Sequence, residues 1–226
     1  DGTTVVKYYY ERNKYTLTIN KTSGIDSVTG SGTYYYGTEV NVSATINNNY
    51  TFAGWSNGIK LQSFTYKLLN NTTLTANASA ISYTITYDLA GGVVSKANPT
   101  KYTVEDNITL NAPTKTGYTF KGYEINGQMT NVISKGTTGN LTVKAIYEAN
   151  TNTKYKVEHY QMDLNGKYTN VFETENLTGT TDTKVKPSVK TYTGFTSPNA
   201  TEVLIKADGT TVVKYYYERN KYTLTV

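Results

Sequence analysis

The single histidine, His159, lies in Lys156-Val-Glu-His-Tyr160 and is the first residue to weigh for chemistry. A general base needs a nucleophile and an orienting acid within reach, and no serine or acid motif accompanies it. Strand alternation puts His159 on the face of Tyr155 and Val157, so it reads as a strand histidine without catalytic duty. Asp163-Leu-Asn165-Gly166 has the look of a calcium loop, but such a loop needs a longer ligand series closed by a bidentate Glu. Asn-Gly between two apolar-aromatic runs is instead a hairpin turn. Gly91-Gly92 and Gly136-Thr-Thr-Gly139 lack the G-x-x-x-x-G-K-S/T pattern and a following helix, so they read as turns rather than phosphate cradles. The chain has no cysteine, which excludes disulfides, thiol catalysis and cysteine-ligated zinc. These residues predict no enzyme, no metal and no cofactor.

The tyrosine runs Tyr8-Tyr-Tyr10, Tyr34-Tyr-Tyr36 and Tyr215-Tyr-Tyr217 carry two readings. Successive strand residues face opposite sides, so Tyr9, Tyr35 and Tyr216 point away from a core that holds their neighbours. Exposed tyrosines suit sugars or protein partners, which makes these three the candidate ligand contacts. The plainer alternative is that they cover a neighbouring repeat's joint or fill a two-sided sheet. Nucleic acid would call for aromatics interleaved with a concentrated basic groove, whereas Lys7, Lys14 and Lys214 are scattered. Net charge is +5, spread along the chain.

The elements that must position these residues are strands. Tyrosine occurs 23 times among 226 residues, with abundant Thr and Asn and few helix builders. β-Branched and aromatic residues favour half-buried pleated surfaces. Tyr15, Leu17 and Ile19 alternate with Thr16 and Thr18, as Tyr83, Ile85 and Tyr87 do with Thr84 and Thr86. Turn residues fall between strands at Ser56-Asn57-Gly58, Ala90-Gly91-Gly92, Asn126-Gly127, Asn165-Gly166 and Asp208-Gly209. No capped stripe of helical period is present, which leaves room for one short helix per repeat at most. No apolar run reaches the ~18–20 residues that a membrane helix requires.

The chain repeats itself. Asp1 to Thr18 recurs without change as Asp208 to Thr225, a period of 207 residues, so the sequence reads as cut from inside a longer array. Within that period, strand openings recur at Tyr15, Tyr83, Tyr155 and Tyr222. Closing strands match at Asn71-Thr-Thr-Leu-Thr-Ala76, Asn140-Leu-Thr-Val-Lys-Ala145 and Thr210-Thr-Val-Val-Lys-Tyr215. The expected division is an orphan last strand (1–13), repeats at 14–79, 80–149 and 150–220, and the first strand of a further repeat (221–226). Each repeat is small enough to be marginal alone. Phe52, Trp55, Tyr118, Phe120, Tyr123 and Phe195 are the expected core anchors. The orphan strand is expected to be disordered or to pair with a sheet edge, including by strand exchange with another molecule in an otherwise monomeric protein.

Residues 83–148 closely resemble the Listeria–Bacteroides repeat, or internalin B-repeat. The resemblance is carried by Tyr83, Gly91-Gly92, Asn98-Pro99, Tyr102, Leu110, Pro113, Gly117-Tyr-Thr-Phe120, Gly122, Lys135-Gly136, Gly139 and Ala145. Tyr123 and Tyr147 stand where that family usually has tryptophan. Residues 14–79, with Gly37-Thr-Glu-Val40, Ala44 and Tyr50-Thr-Phe-Ala-Gly-Trp55, resemble its divergent branch. Residues 150–220 are similar to mucin-binding-protein repeats through Tyr155-Lys-Val-Glu-His-Tyr160, Leu177-Thr-Gly179 and Gly194-Phe195. The resemblance implies β-rich α+β structure: three tandem small β-grasp-like modules forming an elongated rod. It also implies a secreted, wall-anchored bacterial surface protein with no enzymatic role, in which such repeats are spacers or adhesin segments. The partners expected are neighbouring repeats and, for an adhesin, host mucin glycans, acidic polysaccharide or a host protein, without nucleic acid or membrane insertion.

Overall fold

The computed structural model describes residues 2–226. The chain divides into two compact units, one of Asp1–Thr84, Thr100–Ile108 and Ile133–Asn140, the other of Ile85–Pro99, Thr109–Val132 and Leu141–Val226. Residues 2–13 form no strand, and β1 begins at Lys14.

The first repeat contains β1 (Lys14–Lys21), β2 (Ile25–Thr29), β3 (Gly32–Tyr35), β4 (Glu39–Ile46), β5 (Tyr50–Trp55), β6 (Ser63–Lys67) and β7 (Thr72–Ala80). They make two sheets, β3-β1-β7-β5 and β2-β4-β6. One face of each is apolar, and the two faces close a single core. Leu17, Ile19, Trp55, Leu74 and Ala76 from the first sheet meet Ile25, Val40, Val42 and Ala44 from the second. Burying a side chain of this size stabilises by roughly 1.5–3 kcal/mol. The Trp55 indole N–H still finds an acceptor, the Leu61 carbonyl at 3.0 Å.

The second repeat contains β8 (Tyr83–Asp88), β9 (Lys101–Tyr102), β10 (Ile108–Thr109), β11 (Tyr118–Ile125), β12 (Gln128–Thr130), β13 (Val132–Ile133) and β14 (Leu141–Ala149). Its main sheet runs β9-β8-β14-β11-β12, and β10 and β13 form a two-stranded sheet. The Asn126-Gly127 turn joining β11 to β12 has φ of 49° and 76°, the positive pair that a tight two-residue hairpin needs.

The third repeat contains β15 (Thr153–Gln161), β16 (Val171–Gly179), β17 (Lys184–Val185), β18 (Phe195–Thr196), β19 (Val203–Leu204) and β20 (Val212–Arg219). Its sheets are β16-β15-β20-β18 and β17-β19. Tyr155, Val157, Ile205, Val213, Tyr215 and Tyr217 form the core.

One plan is common to all three. The first and last strands of each repeat lie side by side and parallel: Leu17–Lys21 against Thr72–Ala76, Ile85–Asp88 against Leu141–Lys144, and Lys156–Gln161 against Val212–Tyr217. An antiparallel strand flanks the pair on each side. The α+β expectation is corrected here: the described residues contain no helix. Between first and last strands the chain instead closes short sheets and side-chain-bonded turns. At Asn98, for example, the side chain accepts from the Asn111 N–H at 2.7 Å and donates to the Asn111 carbonyl at 3.2 Å. Such Asn- and Thr-rich segments satisfy their backbone locally and gain little from a helix.

Two local devices repeat. In Tyr50-Thr-Phe-Ala-Gly-Trp55 and Tyr118-Thr-Phe-Lys-Gly-Tyr123 the ladder slips at a β-bulge, between Phe52 and Gly54 and between Phe120 and Gly122. Gly54 and Gly122 have φ of 108° and 143°, a region that side chains rarely occupy. The extra residue changes the pleat's phase, so aromatics three apart share a face. Phe52 meets Trp55 edge-on at 6.0 Å, and Phe120 meets Tyr123 at 5.0 Å. The second device is an Asn side chain that ties the start of one parallel strand to the foot of the other. Asn71 Oδ1 accepts from Thr16 N–H at 2.8 Å, and Asn140 Oδ1 accepts from Thr84 N–H at 2.9 Å.

Candidate functional site

The three candidate tyrosines have different surroundings. Tyr9 lies in the strandless segment, exposed along with Tyr8 and Tyr10. Tyr35 stands exposed on β3 with the Lys14 ammonium 4.8 Å from its ring centre. Tyr216 is half open on β20, while Tyr215 and Tyr217 on either side are buried, as strand alternation requires.

Tyr216 belongs to the richest polar-aromatic surface of the third repeat. Its ring stacks on Tyr160 at 5.1 Å and meets Tyr168 edge-on at 5.0 Å. The Tyr160 hydroxyl donates to Glu158 at 2.8 Å, and Lys214 lies 3.7 Å from that carboxylate and 5.5 Å over the Tyr160 ring. The bond to Glu158 holds the Tyr160 hydroxyl above its ordinary pKa. Lys214 is raised too, first by its bond to Tyr160. A flat ring pair flanked by a cation and a carboxylate offers stacking and hydrogen bonding together. Tyr160 and Tyr168 escaped the sequence reading. The period-two step from Tyr160 to Glu158 was the available sign, but its pairing with β20 was not.

The opposite face of the same strands is closed. His159 is fully buried. Tyr217's oxygen accepts from the Lys190 backbone N–H at 3.0 Å, which leaves its own proton for His159 Nδ1 at 2.8 Å. A ring carrying its proton on Nε2 then donates to Glu175 at 2.8 Å, so both nitrogens are satisfied. Around it, Lys190 pairs with Glu173 and lies 3.5 Å from Glu175, and Tyr192 donates to Glu173 at 2.7 Å. The bond from Lys190, then that from Tyr192, holds Glu173 below the usual carboxylate range, and burial pushes the Tyr217 hydroxyl up. No face of the imidazole reaches solvent, so a substrate could not meet it in this arrangement. The group knits strand to strand.

Asp163 closes its turn by accepting from the N–H groups of Asn165 and Lys167, at 2.9 and 2.8 Å. Among the described residues no three His, Cys, Asp or Glu side chains gather where a metal ion could be held. Among the described residues no helix is long and apolar enough to cross a membrane.

Of the expected anchors, Trp55 and Tyr123 are buried. Phe52, Tyr118, Phe120 and Phe195 are half-buried. The deeper aromatics are tyrosines whose hydroxyls reach backbone carbonyls: Tyr102 to Gly139 at 2.6 Å, Tyr123 to Asn111 at 2.7 Å and Tyr215 to Pro187 at 2.7 Å.

Comparison with known proteins places these strands in a family. Residues 15–89 match the divergent InlB B-repeat domain, and residues 83–146 match the Listeria-Bacteroides repeat domain. Among solved structures, the Bacillus anthracis TIE protein aligns with 93% of this chain and 51% of its own, at 9% identity and a TM-score of 0.37. The chain thus spans about half the length of that protein. Through its first two repeats, the chain belongs to the Listeria–Bacteroides, or internalin B-type, repeat family.

Proposed function

We propose that this chain is a repeat segment of a secreted bacterial cell-surface protein, a stalk or spacer that projects a distal adhesive or enzymatic domain. The reading includes β-grasp-like modules at 14–79, 80–149 and 150–220, strung into an elongated rod and anchored to the wall through regions outside this chain. The segment itself catalyses nothing. One observation carries the reading: in each repeat the first and last strands are adjacent and parallel. The chain therefore enters each main sheet at one end and leaves at the other. A pull along the chain loads all the hydrogen bonds of the pair together, in shear. Terminal strands paired antiparallel would peel one bond at a time.

Stretching single molecules of the whole chain tests this. Discrete force peaks are expected, and release of residues 153–219 should lengthen the tether by about 200 Å at ~3.3–3.6 Å per extended residue. Smooth extension without peaks would refute the stalk reading.

The aromatic surface at Tyr160, Tyr168 and Tyr216 supports a second reading, an adhesin segment that binds host mucin glycans, acidic polysaccharide or a host protein. A glycan array and mucin pull-down with Tyr9→Ala, Tyr35→Ala and Tyr216→Ala variants separates the two. Binding by the parent chain that these variants lose would favour the adhesin; no binding by the parent favours the spacer.

A further inference from the structure

The tyrosine that opens the bulged strand holds the same place in the first two repeats. Tyr50 begins β5 opposite Ala80, and Tyr118 begins β11 opposite Ala149. Each reaches out of its own repeat: Tyr50 donates its hydroxyl to Glu105 at 3.0 Å, and Tyr118 donates to Asp182. The acceptors correspond as well. Glu105 lies in the turn between β9 and β10 and Asp182 in the turn between β16 and β17, each just ahead of its repeat's two-stranded sheet. Tyr50 and Glu105 belong to one compact unit, Tyr118 and Asp182 to the other. We propose that Tyr50 and Tyr118 are docking residues, which seat the following repeat against their own by bonding an acidic residue in that turn.

Each ring is held ready by its own repeat. The Tyr50 ring packs on Gly24 with no room for a Cβ there, and the Ser23 hydroxyl donates to the same Glu105 oxygen at 2.9 Å. The Tyr118 ring has the Lys115 ammonium 4.2 Å from its centre and meets Tyr147 edge-on at 6.5 Å. The bond to Asp182 holds the Tyr118 hydroxyl above its ordinary pKa. Around it the joint is closely fitted. Asn150, between β14 and β15, donates to the Gly117 carbonyl and accepts from the Thr181 N–H, both at 2.9 Å. Its Oδ1 accepts from the Thr119 hydroxyl at 2.7 Å. A Cβ on Gly117 would lie 2.7 Å from the Ala207 carbonyl oxygen.

Asp182 has a backbone φ of 57°, where glycine is at ease and a residue with a side chain is strained. Glycine would ease that turn but would offer Tyr118 no acceptor. The third repeat lacks the device: Phe195 opens β18 with no hydroxyl, and the Arg219 guanidinium lies 5.0 Å over its ring. Bonds to a charged acceptor are the stronger kind, yet these are solvent-exposed and add little to either repeat's own stability. Their effect is orientation. The chain already tethers neighbouring repeats at an effective concentration of roughly millimolar or more, so a weak contact keeps them docked. The inference rests on the stalk reading for its purpose and supplies what fixes one repeat's orientation on the next.

The chain has no cysteine of its own, so nitroxide labels can be placed at exposed positions, Lys144→Cys on β14 and Lys156→Cys on β15. Pulsed electron resonance on the full chain then reads their distance distribution, which should be one narrow population in the parent. Tyr118→Phe and Asp182→Gly should each raise the undocked share about two- to fivefold, the loss of one such bond. Hydrogen exchange in β16 and β20 should not quicken in Asp182→Gly, because the change relieves its own repeat's backbone. Gly117→Ala should displace the population, whereas Gly194→Ala, at φ 85° with nothing within 4 Å of its Cβ, should leave it unchanged. Tyr50→Phe, with labels at Lys67→Cys and Lys101→Cys, should repeat the result at the first joint. A distribution unaltered by Tyr118→Phe and Asp182→Gly overturns the proposal. Faster exchange throughout the third repeat in Asp182→Gly overturns it too, since Asp182 would then serve folding alone. Neither outcome touches the force peaks, so docking and the stalk fail separately.

Discussion

Replacing Tyr217 by Phe isolates one oxygen at the centre of the third repeat. The ring would keep its edge-on contact with Tyr192 at 4.8 Å and its neighbour His159 at 5.7 Å, so apolar burial hardly changes. What disappears is a hydroxyl that serves two groups, accepting from Lys190 N–H and bonding His159 Nδ1. His159 is wholly enclosed, so no solvent replaces the lost partner at Nδ1. An abandoned buried polar group costs about 1–3 kcal/mol, and a lost hydrogen bond contributes about 1 kcal/mol more. Lys190 is part-exposed, which places the total toward the lower end, about 2–3 kcal/mol. At 1.36 kcal/mol per tenfold, hydrogen exchange in β15 and β20 should accelerate about 30- to 150-fold. Exchange read strand by strand is the right assay, because a chain of several cooperative parts has no single unfolding free energy. Tyr216→Phe is the control, one residue away on the same strand, with a half-open ring and no hydroxyl partner among the described residues. Its effect should stay below about 0.5 kcal/mol, as for ordinary surface changes. Equal exchange in the two variants would refute the claim that the His159 group holds this repeat together.

Two further outcomes follow from geometry in the other repeats. Gly54→Ala should destabilise the first repeat by about 1–3 kcal/mol, since φ is 108° and a Cβ would lie 3.0 Å from the Ile59 carbonyl oxygen. The only tryptophan, Trp55, is the next residue, and its fluorescence during urea unfolding reports the change; a midpoint equal to the parent's would sink the bulge argument. In the second repeat, burial pushes the Tyr87 hydroxyl up to about 12 from an ordinary 10.0. The fold favours the neutral phenol, so its contribution is whole below pH 10 and is lost as pH rises from 10 through 12. Urea midpoints measured across that window should fall, and Tyr87→Phe should flatten the fall; identical slopes would contradict it.

Much of this architecture is legible in the sequence, and what is not has a common cause. Period two, turn residues and internal repetition are local signals, and they located the first and last strands of all three repeats. The partner of each strand is not local. Nothing in Lys14–Ile19 says that it lies parallel to Thr72–Ala76 rather than beside its sequence neighbour. The aromatic core shows the same divide. Phe52 and Phe120 look like anchors by hydrophobicity, yet Tyr102 and Tyr215 lie deeper because carbonyls at Gly139 and Pro187 meet their hydroxyls. Those acceptors lie 37 and 28 residues away. Sharpest is the doubled segment: Tyr8 and Tyr215 share eighteen residues of identical surroundings in sequence, and one is bare while the other is enclosed. No window of that length distinguishes them; what does is β15, the first strand that precedes Tyr215 in the chain and lies beside it.

The three repeats therefore conserve a frame and vary what locks it. The frame is the parallel pair of first and last strands, with an antiparallel neighbour on each side. In the first two repeats the lock at the foot of the pair is an asparagine side chain, Asn71 or Asn140, and the aromatic face is phased by a bulge glycine. In the third, Thr211 supplies a backbone carbonyl at the foot, and the aromatic face is fixed by hydroxyls gathered on His159, Lys190 and Pro187. An asparagine lock or a bulge acts over a few residues, so damage to it is local. The third repeat concentrates its lock on two side chains of one strand, Tyr215 and Tyr217. Loss of that strand opens the whole repeat.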